Sequence, residues 1–118
     1  MVKNEIVNSL YQQFDTVSIC GLANMKSKSI GQILERSAGF ETNSILELCI
    51  AIDNLNIITD DDFYYLQEWP SGGFVYVKPI NTDEYIFVCS NSKVSGMINL
   101  YLKGIFVDEA PMVPDVIS

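Results

Sequence analysis

Apolar residues recur along the chain in two rhythms, and the order in which those rhythms alternate predicts the architecture. Ile6, Val7, Leu10, Tyr11 and Phe14 keep the three-and-four spacing of a helix with one apolar stripe, so a first helix is expected over residues 3–14. Residues 16–23 then read as a strand, with Val17, Ile19 and Gly21 on one side and Ser18, Cys20 and Leu22 on the other. A polar stretch with Lys26 and Lys28 reads as a hairpin turn into a second strand over 29–36. There Ile30, Gln32 and Leu34 share one side, Ile33 faces the other, and Gly31 is a candidate bulge.

A middle helix is expected over residues 44–55, capped by Thr42 or Asn43. Its apolar residues, Ile45, Leu46, Leu48, Cys49, Ile50, Ala51, Ile52 and Leu55, spread over more than half of the circumference. That is about twice the ~100° stripe a surface helix needs to bury one side. A second element of the chain, or another subunit, is expected to cover the excess. Three strands follow as a meander over 63–69, 74–78 and 84–90, with turns at Pro70-Ser71-Gly72-Gly73 and over 79–83. The unbroken run Tyr85-Ile86-Phe87-Val88-Cys89 suits a central strand covered on both faces. Val94, Met97, Ile98, Tyr101, Leu102 and Ile105 mark a final helix with Gly104 as a candidate stop. Residues 1–106 are thus expected to form a single α+β domain of order αββαβββα, and residues 107–118 an acidic, proline-containing tail.

Composition narrows the function. A chain of 118 residues is large enough for one core without staples. Its net charge of -8 repels phosphate, which argues against nucleic acid and anionic membrane surfaces as partners. No stretch approaches the roughly 20 apolar residues needed to span a bilayer. The N-terminus lacks an apolar signal core, so a cytoplasmic location is expected. Cys20, Cys49 and Cys89 lie inside apolar runs without a CxxC spacing, and read as buried thiols of a reducing compartment.

Catalytic chemistry finds little to work with. The chain has no histidine, so the usual general base near neutral pH is missing. No phosphate-cradling glycine motif is present. Asp60-Asp61-Asp62 lacks the alternate spacing and glycine turn of a calcium loop. No enzyme activity, metal or cofactor is expected. The aromatic group Phe63, Tyr64, Tyr65, Trp69, Phe74 and Tyr76 has two readings, ordinary sheet packing or a protein interface.

The order of elements from about residue 4 to residue 104 resembles the Roadblock family, small domains related to the roadblock-type dynein light chain and to bacterial activators of polarity GTPases. The likeness is strongest in the meander, Phe63-Tyr64-Tyr65-Leu66, Phe74-Val75-Tyr76-Val77-Lys78-Pro79 and Tyr85-Ile86-Phe87-Val88-Cys89. The hairpin turn Asn24-Met25-Lys26-Ser27-Lys28 departs from it by lacking an Asp/Asn-Gly pair. The resemblance implies a five-stranded antiparallel sheet, with the middle helix on one face and the terminal helices on the other. It implies a homodimer, or a heterodimer with a paralogous subunit, in which middle helices pack together and third strands pair. Ile45, Leu48, Cys49, Ile52, Phe63 and Tyr65 are then expected at the dimer interface. Many relatives bind small Ras-like GTPases or join scaffolds, so the expected function is a non-catalytic dimeric adaptor that docks or regulates such a GTPase or a larger complex. The alternative is a PAS-like sensor whose aromatic residues line a small-molecule pocket. A profilin- or longin-like module shares the sheet-and-helix logic with another order of elements.

Overall fold

Residues 3–36, 40–55, 64–69, 73–91 and 95–109 are described in a computed structural model of the chain. The elements are α1 (Lys3–Gln13), β1 (Val17–Asn24), β2 (Ser29–Glu35), α2 (Thr42–Leu55), β3 (Tyr65–Glu68), β4 (Phe74–Pro79), β5 (Glu84–Ser90) and α3 (Ser95–Glu109). The strands form one sheet of order β2-β1-β5-β4-β3, and each neighbouring pair is antiparallel. The unbroken apolar run of β5 takes the central place, where every residue after Glu84 is buried.

Strand alternation divides the core into two layers. On one face Ile45, Cys49 and Ile52 of α2 pack with Ile19, Ala23, Val75, Val77, Tyr85, Phe87 and Cys89. On the other, Ile6, Val7 and Leu10 of α1 and Ile98 and Leu102 of α3 pack with Cys20, Leu22, Tyr76, Ile86 and Val88. Each fully buried aliphatic side chain contributes on the order of 2 kcal/mol of transfer free energy, so both helical layers hold the sheet.

Two irregularities in the ladder change which side chains share a face. Leu22 pairs with Gln32 while Ala23 pairs with Ile30, which leaves Gly31 as the extra residue of a bulge. The bulge reverses the alternation along β2. Ile30 packs in the α2 layer and Leu34 in the opposite layer, although simple alternation places them together. A second irregularity between Val17 and Ile19, against Ser90 and Cys89, separates Val17 from Ile19 in the same way.

The hairpin turn works without an Asn-Gly pair. The Oδ1 atom of Asn24 accepts the backbone N–H groups of Lys26 and Ser27, both at 2.9 Å. Lys28 takes the left-handed conformation, φ 54°, that glycine would otherwise supply. Beyond β2, the Arg36 guanidinium donates to the carbonyls of Tyr11, Phe14 and Val17, tying the last turn of α1 to the start of β1.

Helix boundaries differ from expectation in two places. Glu41, rather than Thr42 or Asn43, precedes the first turn of α2. Its carbonyl accepts the Ile45 N–H at 3.2 Å, and its carboxylate accepts the Ser44 hydroxyl at 3.0 Å. A carboxylate there also suits the positive end of the helix dipole. At the other end of the chain, α3 passes through Gly104 and continues to Glu109. Residues 107–109 of the expected tail therefore prolong the helix, and residues 110–118 lie outside the described residues.

Candidate interaction surface

The wide apolar arc of α2 is used largely by its own sheet. Ile45 and Cys49 are 0% exposed and Ile52 is 1% exposed, so these three expected interface residues are core residues of the single chain. The wheel left open whether the chain itself or another subunit covers the surplus, because it shows how many apolar positions exist and not how deeply the helix beds into the sheet. Leu46 and Ile50 on one flank, and Leu48 on the other, pack against the same core as shoulders to the central stripe. What reaches solvent on the Leu48 flank is Ala51 and Leu55, the latter 64% exposed. Leu48, Ala51 and Leu55 are spaced three and four apart and form one ridge. Beside it run Asn43, Glu47 and Asn54, all exposed and pointing away from the sheet.

Sheet order places β3 at one edge and β2 at the other. Among the described residues Tyr65–Glu68 pairs only with β4, which makes β3 an edge strand of the kind that can pair with another chain. The β2 edge is interrupted by its bulge at Gly31, whereas the β3–β4 ladder keeps one regular register. Tyr65 and Trp69 point into the α2 layer and are half-buried there, and the Tyr65 hydroxyl donates to Gln67 Oε1 at 3.1 Å. The structure thus brings Tyr65 and the α2 ridge to the same side of the sheet. Phe63 lies outside the described residues.

The aromatic group does not converge on one point. Tyr65 and Trp69 face α2, while Tyr64 stacks on Tyr76 across the other face, ring centroids 5.2 Å apart. The Tyr76 hydroxyl donates to Asn99 Oδ1 of α3 at 3.1 Å. The aromatic residues of β3 and β4 therefore knit both helical layers to one edge of the sheet.

Burial pushes the thiols of Cys20, Cys49 and Cys89 up to about 12, so all three stay protonated and unreactive near neutral pH. Cys20 Sγ donates to the Val7 carbonyl at 3.6 Å. Among the described residues no group of His, Cys, Asp and Glu could hold a metal ion, and no helix is long and apolar enough to cross a membrane. Lys78, read from the sequence only as the end of a strand, is 1% exposed. Its signal was strand parity, which places it on the same inward face as Tyr76.

No family model matches the chain, and no curated protein matches it in sequence. Solved structures do match. The crystal structure of MglC from Myxococcus xanthus superposes with a TM-score of 0.62 at 10% identity, covering 92% of this chain and 96% of that one. Myxococcus xanthus MglB superposes with a TM-score of 0.61 at 13% identity over 88% and 90% of the two chains. MglB with tetrameric arrangement gives a TM-score of 0.56 at 10% identity over 92% and 89%. With a five-stranded antiparallel sheet between α2 and the α1–α3 pair, and likeness to MglC and MglB over almost the whole length of each, the chain has a Roadblock-like fold.

Proposed function

We propose that this chain is a non-catalytic Roadblock-type subunit that pairs with a second subunit through the β3 edge and the exposed ridge of α2. The composite surface then docks or regulates a small Ras-like GTPase or a larger complex. The observation that carries this reading is the β3 edge, regular and paired among the described residues with β4 alone, whose Tyr65 shares the α2 side of the sheet with Leu48, Ala51 and Leu55. Pairing would close that edge and cover the most exposed apolar residue of α2. Self-assembly of the fold is supported by the likeness to MglB with tetrameric arrangement. The GTPase rests on the Roadblock resemblance, and the site itself contributes shape rather than chemistry.

The interface assigned to the single chain changes accordingly. Leu48 and Tyr65 remain as half-buried members, Leu55 and Ala51 join them, and Ile45, Cys49 and Ile52 support the helix from beneath. The experiment is solution mass by light scattering at tens of micromolar in ~1 M NaCl, where charges are screened within about 3 Å. A dimer is expected for the wild type, and for Leu55→Glu a folded monomer whose melting temperature no longer depends on protein concentration. A wild type that stays monomeric there overturns the reading.

A further inference from the structure

Helix α3 is apolar on two sides, and its own sheet uses only one of them. Ile98 and Leu102 are buried against the sheet, while Leu100 is 71% and Met97 59% exposed on the side turned away. Gly96, Leu100 and Gly104 follow one another at spacings of four, with Met97 beside them, so they form one ridge. A Cβ at Gly96 or Gly104 would meet nothing within 4 Å, which leaves the ridge open and low at both ends. A helix apolar all round is normally covered all round.

The open strip is one helix wide. Beside it runs α1, tied to α3 by the hydrogen bond between Ser9 and Tyr101 and by the edge-on contact of Phe14 with the same ring. The exposed residues of α1 include Glu5, Asn8 and Gln12, all polar. A stable interface between chains needs about 800 Å² from each partner, far more than two large side chains and two glycines offer. The strip therefore suits a narrow apolar ribbon on a covalent tether, whose effective concentration reaches the ~mM range without a large contact.

Residues 110–118 supply such a ribbon. Pro111 has no N–H to continue a helix and disfavours the helical conformation at Ala110, so the chain leaves the axis of α3 just beyond Glu109. Pro111 and Pro114 stand three apart, the period of a polyproline II helix. At that period Pro111, Pro114 and Ile117 share one edge and Val113 and Val116 a second, while Met112, Asp115 and Ser118 fall on the third. Two edges are wholly apolar and the third is mostly polar. The reach agrees as well. At 3.1 Å per residue, residues 111 to 117 span ~19 Å. Met97 lies ~18 Å from Glu109 along the helix axis at 1.5 Å per residue.

We infer that residues 110–118 turn back along α3 and strap its outer face, setting Val113, Val116 and Ile117 over Gly104, Leu100 and Met97. The strap covers an apolar strip that would otherwise be offered to other chains. It lies across the sheet from Leu55 and the α2 ridge, and does not depend on the pairing face proposed above.

The test places a spin label at the polar edge of the strap. Cys20, Cys49 and Cys89 are buried, so in Ser118→Cys the new thiol alone takes a nitroxide. Paramagnetic broadening of backbone amide signals is then read on the full, isotope-labelled chain. Broadening at Met97, Leu100 and Gly104 is expected, and its loss when Val116→Asp and Ile117→Asp are added. Thermal melts check that these variants keep the folded core. An equimolar mixture of spin-labelled chain and isotope-labelled chain reads contacts between copies, and is expected to show no broadening along α3. An α3 that stays sharp overturns the inference. So does broadening that survives the two aspartates, or broadening equally strong in the mixture. None of these results bears on pairing through β3 and the α2 ridge, which lie on other surfaces.

Discussion

The hydroxyl of Tyr85, on the central strand, donates a 3.0 Å hydrogen bond to Oδ1 of Asp53 on α2. The ring lies in the α2 layer, so this one residue supplies both apolar contact and a polar tie to the helix. Tyr85→Phe keeps the ring and removes the tie. A loss of about 1 kcal/mol of stability is expected, read as a lower urea midpoint at unchanged slope. An unchanged midpoint would mean that α2 is held by packing alone.

Two glycines make opposite predictions. A Cβ at Gly21 would stand 2.2 Å from the Gln32 carbonyl oxygen and 2.7 Å from Cζ of Phe87, both in the sheet and its core layer. Gly21→Ala should cost about 2 kcal/mol or more, because backbone and a buried ring must both shift. A Cβ at Gly104, inside α3, meets nothing within 4 Å. Gly104→Ala should stabilise by roughly 0.5–1 kcal/mol through helix propensity. Thermal melts of both variants check the pair.

Most elements were legible in their spacing: the stripe from Ile6 to Phe14 reads as a one-sided helix, and the run from Tyr85 to Cys89, between turn signals, suits a doubly covered strand, whereas the alternation of residues 29–36 is weak. Register was not legible. Gly31, a candidate bulge in the sequence, does drop out of the ladder, but simple alternation still placed Ile30 and Leu34 together, and the slip sends them to opposite layers. The breadth of α2 was legible as a surplus, but not that Ile45, Cys49 and Ile52 are the part its own sheet buries. How much of a helix its own sheet covers depends on packing depth, which spacing does not encode. The extent of α3 beyond Gly104 was hidden for a similar reason, since a helical glycine and a terminating glycine look alike in sequence.

Stability should fall in alkali. The three buried thiols are raised by burial from an ordinary value of 9.0 to about 12, so between these values the folded chain keeps protons that the unfolded chain releases. More protons bound in the folded state make unfolding easier as pH rises, and the effect is absent below pH ~9. The Tyr85 phenol, raised by burial and then by its bond to Asp53, acts in the same direction. Each thiol should contribute roughly 1 kcal/mol per pH unit in that window. Urea unfolding at pH 8 and pH 10 should show this loss, and Cys89→Ala should lessen the pH dependence.

Amide hydrogen exchange on the assembled protein tests the central claim most directly. It would be measured on the wild type in ~1 M NaCl, with the Leu55→Glu monomer as reference. Slower exchange on assembly at Tyr65–Glu68, together with the Leu48–Leu55 stretch of α2, is the predicted result. Slowing at Ser29–Glu35 or along α3 instead, with β3 exchanging as fast as in the monomer, would contradict the account.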